Sequence, residues 1–481
     1  MIEKRNFYIN GEWVPAKEGR DFEVINPATE EPCAVIALGG QADTDAAVAA
    51  AKAAFPAWAA TPVAERIALV EKALEIYADR REDLAQAMSM TMGAPIALAR
   101  KNQWGAGAYH LTNFIEAAKA MEFDRPLRAD APTDRILLEP VGVAALITPW
   151  NWPMNQITLK VGAAAIAGCT MVLKPSEQTP LDALIFAEVM DAAGFPKGVF
   201  NLVNGDGPGV GSQLSSHADV DMVSFTGSTR AGKLISKAAA DTLKRVHLEL
   251  GGKGANLVFP DADDEAITRS VAHMMQNTGQ SCNAPSRMLV HADIYDRVVD
   301  EAAKAAEATK VGAPSEDGRH IGPVVNATQW QKIQDLIQAG IDEGARLVAG
   351  GTGRPEGFNK GFYVRPTVFA DVTNDMTIAR EEIFGPVLSI LKFESEEEGI
   401  AIANDTPYGL TNYAQTQDGA RRNRLARALR SGMVEMNGED RAAGAPFGGI
   451  KQSGNGREGG TWGIEDFVEV KAVAGWDPSA A

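Results

Sequence analysis

The sequence predicts an α/β protein built on a Rossmann-like, doubly wound parallel sheet and followed by a second α/β region. Its 481 residues are enough for two or three domains with a large buried core. After Pro140, short β-rich runs alternate with amphipathic helices; the runs lie at 141–147, 171–173, 199–203, 222–225 and 246–250. Apolar runs of this length between helices are typical of a parallel sheet buried on both faces.

The N-terminal part of the chain predicts short strands and then helices. Within residues 6–36, Asn10-Gly11 stands between two apolar runs, which is a hairpin signal. From 43 to about 120, apolar residues recur at helical spacing, and prolines divide the pattern into three expected helices. The dividing prolines are Pro56, Pro62 and Pro95. We interpret Trp104 and Tyr109, in the third helix, as packing residues.

Two further segments complete the layout. Residues 122–140 lose the helical period and become charged, with one short strand at 136–138, and on sequence alone this segment is a loop. A second α/β region follows over about 253–452 and includes an expected helix at 327–343.

Composition excludes several classes of partner. The formal net charge of −17, from 63 acidic and 46 basic residues, disfavours nucleic acid and anionic membranes. The N-terminus lacks the apolar run of a secretory signal, so we expect a cytoplasmic protein. Cys33, Cys169 and Cys282 are too few and too scattered for a disulfide framework or a zinc site. The six histidines show no metal-binding spacing, and we expect no metal.

Three motifs follow predicted strands of the first sheet. They are Pro149-Trp150-Asn151 after the first strand, Lys174-Pro175-Ser176-Glu177 after the second and Gly227-Ser228 after the fourth. Ligands of doubly wound sheets bind beyond the carboxyl ends of the strands, so these motifs predict a common site.

Residue types suggest a covalent active site. Cys282 ends Gly279-Gln280-Ser281-Cys282, whose small and polar residues leave a thiol accessible; such a nucleophile also needs a lowered pKa. Glu249, before Gly251-Gly252, is a candidate base, and the Asn151 amide is a candidate donor to an oxyanion. A lone cysteine is more often structural, so these residues by themselves leave both interpretations open.

In order and wording, these motifs resemble the NAD(P)-dependent aldehyde dehydrogenase superfamily over nearly the whole chain. The resemblance implies oxidation of an aldehyde to its carboxylic acid with NAD. Cys282 would form a thiohemiacetal and then a thioester, and Glu249 would activate the water that hydrolyses it. Lys160 and Glu458 match a proton path of the family, although each is also compatible with a surface charge.

The resemblance also implies a cofactor site. Glu177 would accept hydrogen bonds from ribose hydroxyls and repel a 2′-phosphate, which favours NAD and leaves NADP open. A P-loop interpretation of 227–233 fails because Leu234 stands where Ser or Thr is needed. The glycine-rich stretch 205–211 is by itself equally compatible with a loop. The expected cofactor-binding residues are Ile147, Thr148, Pro149, Trp150, Lys174, Ser176, Glu177, Gly207, Gly211, Phe225, Thr226, Gly227, Ser228, Gly232, Leu250, Glu382 and Phe384.

Substrate contacts follow from the same resemblance. The expected tunnel residues are Trp152, Gln156, Leu159, Asn283 and Phe447. Gln156 and Asn283 make this tunnel partly polar. Arg441, in a loop that departs from the family's usual wording, is either a contact for an anionic aldehyde or, more simply, a solvated loop arginine.

The family layout implies three parts and self-association. We expect an NAD-binding domain at 1–121 and 141–251 and a catalytic domain at 252–452. Residues 122–140 and 453–481 would form an oligomerisation arm and C-terminal tail, giving a homodimer or homotetramer. The alternatives are a CoA-acylating or specialised semialdehyde dehydrogenase, or a non-catalytic scaffold; Glu249 argues against CoA transfer because a hydrolytic base would divert the thioester.

Overall fold

A computed structural model describes residues 1–477 and residue 479. The N-terminal third consists of five strands, then helices, then two further strands. They are β1 (Ile2–Lys4), β2 (Asn6–Ile9), β3 (Glu12–Pro15), β4 (Arg20–Asn26), β5 (Glu31–Leu38), α1 (Gln41–Ala59), α2 (Val63–Asp79), α3 (Arg81–Met92), α4 (Ile96–Leu98), α5 (Trp104–Ala120), β6 (Asp124–Pro126) and β7 (Asp134–Pro140).

Strands and helices then alternate. The elements are β8 (Val143–Ile147), α6 (Pro153–Ala167), β9 (Thr170–Lys174), α7 (Leu181–Ala193), β10 (Phe200–Leu202), α8 (Ser212–Ser216), β11 (Met222–Thr226), α9 (Thr229–Ala239) and β12 (Arg245–Glu249).

The second α/β region and the C-terminal segment complete the chain. Their elements are β13 (Ala255–Val258), α10 (Ala266–Met275), β14 (Arg287–His291), α11 (Tyr295–Glu307), α12 (Ala327–Asp342), β15 (Arg346–Ala349), β16 (Thr367–Ala370), α13 (Thr377–Arg380), β17 (Val387–Phe393), α14 (Glu396–Asn404), β18 (Thr411–Gln415), α15 (Gly419–Ala428), β19 (Met433–Met436), β20 (Gly454–Asn455), α16 (Gly460–Glu465) and β21 (Val468–Ala474).

The first large sheet confirms the predicted Rossmann-like topology. Its eight strands run in the order β20-β12-β11-β8-β9-β10-β2-β3, and the five central ones are parallel. Ala144 and Leu146 of β8 pack into one core with α6 and α7, whereas Val143 and Ala145 pack into another with α1. Chain order reverses between β8 and β11, which is the switch point where ligands of such sheets bind.

The second large sheet carries the nucleophile region. Its order is β15-β16-β17-β14-β13-β18-β19, with only β15 antiparallel to its neighbour. The helix expected at 327–343 is α12, and the Asn326 side chain caps it by accepting from the N–H of Gln329.

The predicted hairpin is confirmed, whereas the helix count is wrong. Asn10 and Gly11 both have positive φ, as a two-residue turn between β2 and β3 requires. Four long helices occupy 41–120, where three were expected. Pro56 lies inside the last turns of α1, and the extra boundary falls at Arg80, which carries no proline or glycine signal.

Two three-stranded sheets accompany the large ones: one has the order β1-β5-β4, and the other, which is antiparallel, has the order β21-β7-β6. Val470 of β21 pairs with Leu138 of β7, which joins the C-terminal strand to the charged segment. In the segment expected as the C-terminal arm and tail, β20 pairs with β12, and α16 packs on α5 and α6. Within the described residues, only β21 of the C-terminal segment pairs with β7. Among all the residues that the structure describes, no helix has the length and apolarity to span a membrane.

Candidate active site

Cys282 lies in the loop between α10 and β14, in the wall of a cavity of about 450 Å³. The backbone before it is strained: Asn277, Thr278 and Gly279 all have φ between 52° and 70°. Left-handed conformation at a β-branched residue such as Thr278 costs about 1–3 kcal/mol, and it persists only where surrounding contacts enforce it. Gly279 is required, since a Cβ there would lie 2.1 Å from the carbonyl oxygen of Gly385.

A buried amide network supplies that enforcement. Asn277 Nδ2 donates to the carbonyl of Asn151 over 2.9 Å and to that of Gln280 over 3.2 Å. Gln103 Nε2 donates to the same Asn151 carbonyl and to Asn277 Oδ1. The N–H of Val325 donates to Gln280 Oε1 over 3.0 Å. These bonds join the Asn151 segment after β8 to the Cys282 loop, so the two motifs share one rigid unit.

Gln103 and Asn277 were not among the predicted site residues. Gln103 ends a π-helical turn, Ala99–Gln103, and such turns often occur at functional sites. Neither residue has a sequence signal of its own, because an amide in a helical segment is ordinarily a surface residue.

Asn151 is 4% exposed, and its Nδ2 donates to the carbonyl of Gln280 over 3.1 Å. An amide nitrogen carries two donors, so one N–H remains for another acceptor. The adjacent Trp152 donates from Nε1 to Ser281 Oγ over 2.8 Å. Two consecutive residues after β8 therefore contact the two residues that precede Cys282.

The glycine pair after Glu249 is explained by close approach. A Cβ on Gly251 would lie 2.4 Å from Glu382 Oε2, and a Cβ on Gly252 would lie 2.4 Å from the carbonyl oxygen of Cys282. The N–H of Gly252 also donates to Glu382 Oε1 over 2.8 Å. The two glycines thus bring a predicted cofactor residue and the nucleophile loop against one stretch of backbone.

Glu249 ends β12 and is 2% exposed, with both carboxylate oxygens lacking hydrogen-bond partners. Burial, and then the nearby Glu458 carboxylate, raises the pKa of Glu249 well above its usual range. Both effects favour the protonated form of this carboxyl.

The protein groups around Cys282 do not by themselves supply the lowered pKa that an attacking thiol needs. Burial raises the pKa of the Cys282 thiol, and the carboxylates of Glu249, Glu382 and Glu458 raise it further. The backbone N–H of Asn283 acts in the opposite direction. Positive charge from outside this set of residues is needed to favour the thiolate.

Lys160 and Glu458 are not surface charges. Lys160 is fully buried, and its Nζ contacts Glu458 Oε1 at 2.6 Å and Ser224 Oγ at 3.1 Å. His247, two residues before Glu249, joins them: its Nε2 lies 3.8 Å from Glu249 Oε1 and 3.9 Å from Glu458 Oε1. Its Nδ1 contacts Asp466 Oδ2 at 2.5 Å. His247 was not among the predicted site residues.

All five predicted tunnel residues line the Cys282 cavity: Trp152, Gln156, Leu159, Asn283 and Phe447. Tyr109 lines it too and is 44% exposed, so interpreting it as a packing residue was wrong. Trp104 does pack, stacking on Tyr77 with ring centroids 5.7 Å apart. Arg441 lines the cavity and pairs with Glu435, so it is not a solvated loop arginine.

The predicted cofactor residues gather at the carboxyl edge of the first sheet. Ile147 and Phe225 are partners in register at the ends of β8 and β11. Lys174 Nζ, at the end of β9, donates to the carbonyls of Pro175 and Gly205 and lies 3.8 Å from Glu177 Oε2.

Other predicted cofactor residues surround that edge. Ser176 Oγ accepts from the N–H of Gln178, and Ser228 caps α9 by accepting from the N–H of Ala231. Leu250 contacts Gly232 so closely that a Cβ on Gly232 would lie 2.7 Å from Leu250 Cδ2.

The remaining predicted residues are positioned by two turns and an aromatic pair. Gly207 and Gly211 bound the turn before α8, and Gly227 lies directly after β11. Pro149 follows β8, and the Trp150 ring meets that of Phe384 edge-on at 5.5 Å.

Unsatisfied polar atoms at this edge fit a polar ligand. The hydroxyls of Thr148 and Thr226 and the side-chain amide of Asn204 are buried without hydrogen-bond partners, near the carboxyl ends of β8, β11 and β10 of the first sheet. Buried polar groups are ordinarily bonded, so these atoms are available for ligand hydroxyls or phosphates. Across residues 1–477 and 479, no cluster of three or more His, Cys, Asp or Glu is arranged to hold a metal.

Comparison with known proteins agrees with this geometry. The model of the aldehyde dehydrogenase family matches residues 13–473. A 3-succinoylsemialdehyde-pyridine dehydrogenase from a Pseudomonas species is 49% identical over 481 residues, which is all of both chains. An aldehyde dehydrogenase structure from Bartonella henselae has 57% identity and a TM-score of 0.98 over 99% of this chain and 100% of its own. A mutant aldehyde dehydrogenase C from Pseudomonas syringae, complexed with NAD+ and octanal, has 47% identity and a TM-score of 0.96, covering 98% of this chain and 97% of its own.

Proposed function

We propose the catalytic roles of two residues in this chain, which belongs to the aldehyde dehydrogenase family. Cys282 is the nucleophile in the oxidation of an aldehyde to the carboxylic acid, and Glu249 assists hydrolysis of the thioester. One observation carries this proposal. Asn151 follows β8, Glu249 ends β12 and Cys282 lies in the α10–β14 loop. Hydrogen bonds from side-chain amides and close contacts at glycines hold these three segments together.

The first step forms a covalent bond at sulfur. The Cys282 thiolate attacks the aldehyde carbon, and the carbonyl electron pair moves onto oxygen. The free N–H of Asn151 and the backbone N–H of Cys282 stabilise this oxyanion, and removing one such donor typically costs about 10²–10³ in rate. When the carbonyl re-forms, the carbon loses hydride and a thioester remains on Cys282.

The second step hydrolyses the thioester. Deprotonated Glu249 takes a proton from water, the hydroxide attacks the acyl carbon and the carbon–sulfur bond breaks. The net reaction consumes aldehyde, NAD+ and water and yields acid, NADH and a proton. Lys160 and Glu458, buried beside Glu249, form the proposed path by which that proton leaves.

NAD supplies the hydride acceptor and, in the oxidised ring, a positive charge. Lys174 and Glu177 would hold the adenine ribose, Gly227 and Ser228 at the start of α9 the pyrophosphate, and Glu382 and Phe384 the nicotinamide side. The Glu177 carboxylate favours NAD over NADP, because a 2′-phosphate would be repelled at short range.

The acid is proposed as the product rather than an acyl-CoA. Glu249 is buried near Glu458, which lines the cavity, and both Glu249 carboxylate oxygens lack hydrogen-bond partners, which suits a base acting on water. Supplying CoA with aldehyde and NAD tests this, and dominant formation of acyl-CoA would overturn it.

We also propose self-association through the arm, as a homodimer or homotetramer. β21 is the outer strand of the three-stranded sheet, and Val470 at its centre is 69% exposed. An unpaired edge carrying exposed apolar side chains is suited to pairing with a second copy. We further propose the three-part division of an NAD-binding domain at 1–121 and 141–251, a catalytic domain at 252–452, and an oligomerisation arm and tail at 122–140 and 453–481. A cytoplasmic location belongs to the same proposal, since a catalytic thiol needs a reducing compartment.

NADH formation from aldehydes tests the overall proposal. Wild type and Cys282→Ala are compared, with Cys33→Ala as the control because Cys33 does not line the cavity. We expect turnover by wild type and Cys33→Ala only; activity in Cys282→Ala would overturn the covalent route.

A further inference from the structure

The wall of the Cys282 cavity contains Arg441, whose positive charge is paired with a carboxylate. Arg441 Nε donates to Glu435 Oε1 over 2.8 Å, and the Glu435 side chain is only 14% exposed. The Arg441 guanidinium also lies over the Phe447 ring, 5.1 Å from its centroid. Both partners line the same cavity as Arg441.

These contacts fix the guanidinium. A half-buried arginine held by a carboxylate and an aromatic face must lose both interactions before it turns to another anion. Breaking the pair would also leave the mostly buried Glu435 carboxylate without its partner, which is costly. Arg441 therefore does not offer a free positive charge to a substrate.

The other ionisable groups of the cavity add no positive charge. Asp440 lies beside Arg441, and Glu458 is paired with Lys160 behind the wall. Burial lowers the pKa of His110 to about 4 and also lowers that of His273, so both rings are neutral at pH 7. The wall is consequently net negative, which disfavours an anionic substrate.

Neutral hydrogen-bonding groups remain unsatisfied in the same wall. Gln156 is 4% exposed and its Oε1 has no hydrogen-bond partner. Asn113 Nδ2 is likewise buried without a partner. An unpaired buried acceptor and donor cost free energy, which a neutral polar substrate group would recover. Tyr109 and Trp152 add aromatic surface beside them.

We propose that the enzyme selects neutral aldehydes that carry a hydrogen-bonding group, and that Glu435 sets this selectivity by holding Arg441 away from anions. The inference rests on the proposed function and names the substrate class of that same site. Glu435 is here a specificity-determining residue, and it takes no part in the chemical steps.

Matched aryl aldehydes test the proposal. 4-Formylbenzamide and 4-formylbenzoate have nearly the same shape and differ in charge, and benzaldehyde lacks the polar group. We expect the wild-type kcat/KM for 4-formylbenzamide (the benzamide) to exceed that for 4-formylbenzoate (the benzoate) by at least about tenfold. It should exceed the kcat/KM for benzaldehyde by at least about tenfold as well. A benzoate preferred to or equal to the benzamide would overturn the charge selectivity, and this measurement needs no variant.

Glu435→Gln tests the residue itself. It keeps size and removes charge, so we expect the benzoate-to-benzamide ratio of kcat/KM to rise at least about tenfold. Adding Arg441→Met should remove that gain. Glu397→Gln, an exposed glutamate on α14, is the matched control and should leave the ratio unchanged. An unchanged ratio in a Glu435→Gln protein that still oxidises benzaldehyde would overturn the assignment.

Gln156→Leu tests whether Gln156 binds the polar group of the substrate. Gln156→Leu should reduce the benzamide-to-benzaldehyde ratio by at least about tenfold, and an unaltered ratio would overturn the hydrogen-bonding role. Failure of the proposed function is distinct, since no aldehyde of the panel would then yield NADH.

Discussion

The side-chain amide of Asn151 donates to the main-chain carbonyl of Gln280 over 3.1 Å, two residues before the nucleophile. This bond crosses from the first sheet to the loop of the second, so the donor proposed for the oxyanion also sets the position of the thiol. Asn151→Ala should therefore lower kcat by about 10²–10³ with a smaller change in KM.

Stopped-flow measurement of NADH formation checks this effect on the chemical step. Asn423→Ala, at an exposed position of α15, is the matched control. Equal burst rates in Asn151→Ala and wild type would contradict the assigned role.

Thioester hydrolysis should depend on pH with a definite sign. Burial raises the pKa of Glu249, so its base form becomes populated as pH rises. An acyl-enzyme formed at pH 8 and jumped to lower pH should hydrolyse more slowly, by about tenfold per pH unit below that pKa. Rapid-quench measurement of free acid gives the rate, and a rate independent of pH would be inconsistent with a carboxylate base.

Cofactor preference should shift at Glu177. Glu177→Ser removes the carboxylate beside Lys174, so a 2′-phosphate is no longer repelled while the lysine charge remains. We expect the ratio of kcat/KM for NADP to that for NAD to rise at least about tenfold. Glu188→Ser, on the neighbouring α7, serves as control. A ratio equal to that of wild type would remove Glu177 from the site.

Gly279→Ala should disrupt the nucleophile loop. The new methyl group would lie 2.1 Å from the Gly385 carbonyl at a residue with φ of 70°, so backbone must move. We expect a loss of about 2–4 kcal/mol in the free energy of unfolding, together with loss of activity. Gly105→Ala in α5, where a Cβ meets nothing within 4 Å, is the matched control in thermal unfolding. Similar melting temperatures for the two variants would contradict the strain.

Charge placed on the arm should change the assembly. Val470→Asp puts a carboxylate at the exposed centre of β21. If β21 pairs with a second copy, sedimentation velocity should show smaller species for the variant than for wild type, with unchanged far-UV circular dichroism. Identical sedimentation coefficients would argue against an interface at this edge.

The five central strands were predictable because each is a short run buried on both faces and bounded by helices. Local signals were less dependable among the helices. Pro56 did not end α1, and the boundary at Arg80 has no local mark. α1 packs on β9, whereas α2 and α3 pack on α7, and sequence spacing encodes neither set of contacts.

The site was predictable where motifs carried it and not where tertiary contacts did. Cys282, Glu249 and Asn151 stand in short recognisable stretches. His247 acquires its place from Asp466, 219 residues away. Glu435 has its proposed role in selectivity because it pairs with Arg441 and because both residues line the cavity. The raised pKa of Cys282 was equally hidden, since it arises from burial and from carboxylates of other segments.

Trapping the thioester on Cys282 tests the central claim most directly. Glu249→Gln is mixed with NAD and benzaldehyde, quenched in acid and measured by intact-protein mass spectrometry. We expect a mass increase equal to one benzoyl group in Glu249→Gln, located to the peptide containing Cys282, and none in the Glu249→Gln, Cys282→Ala double variant. Persistence of the benzoyl adduct in the double variant, or NADH formed by Glu249→Gln without any adduct, would contradict covalent catalysis at Cys282.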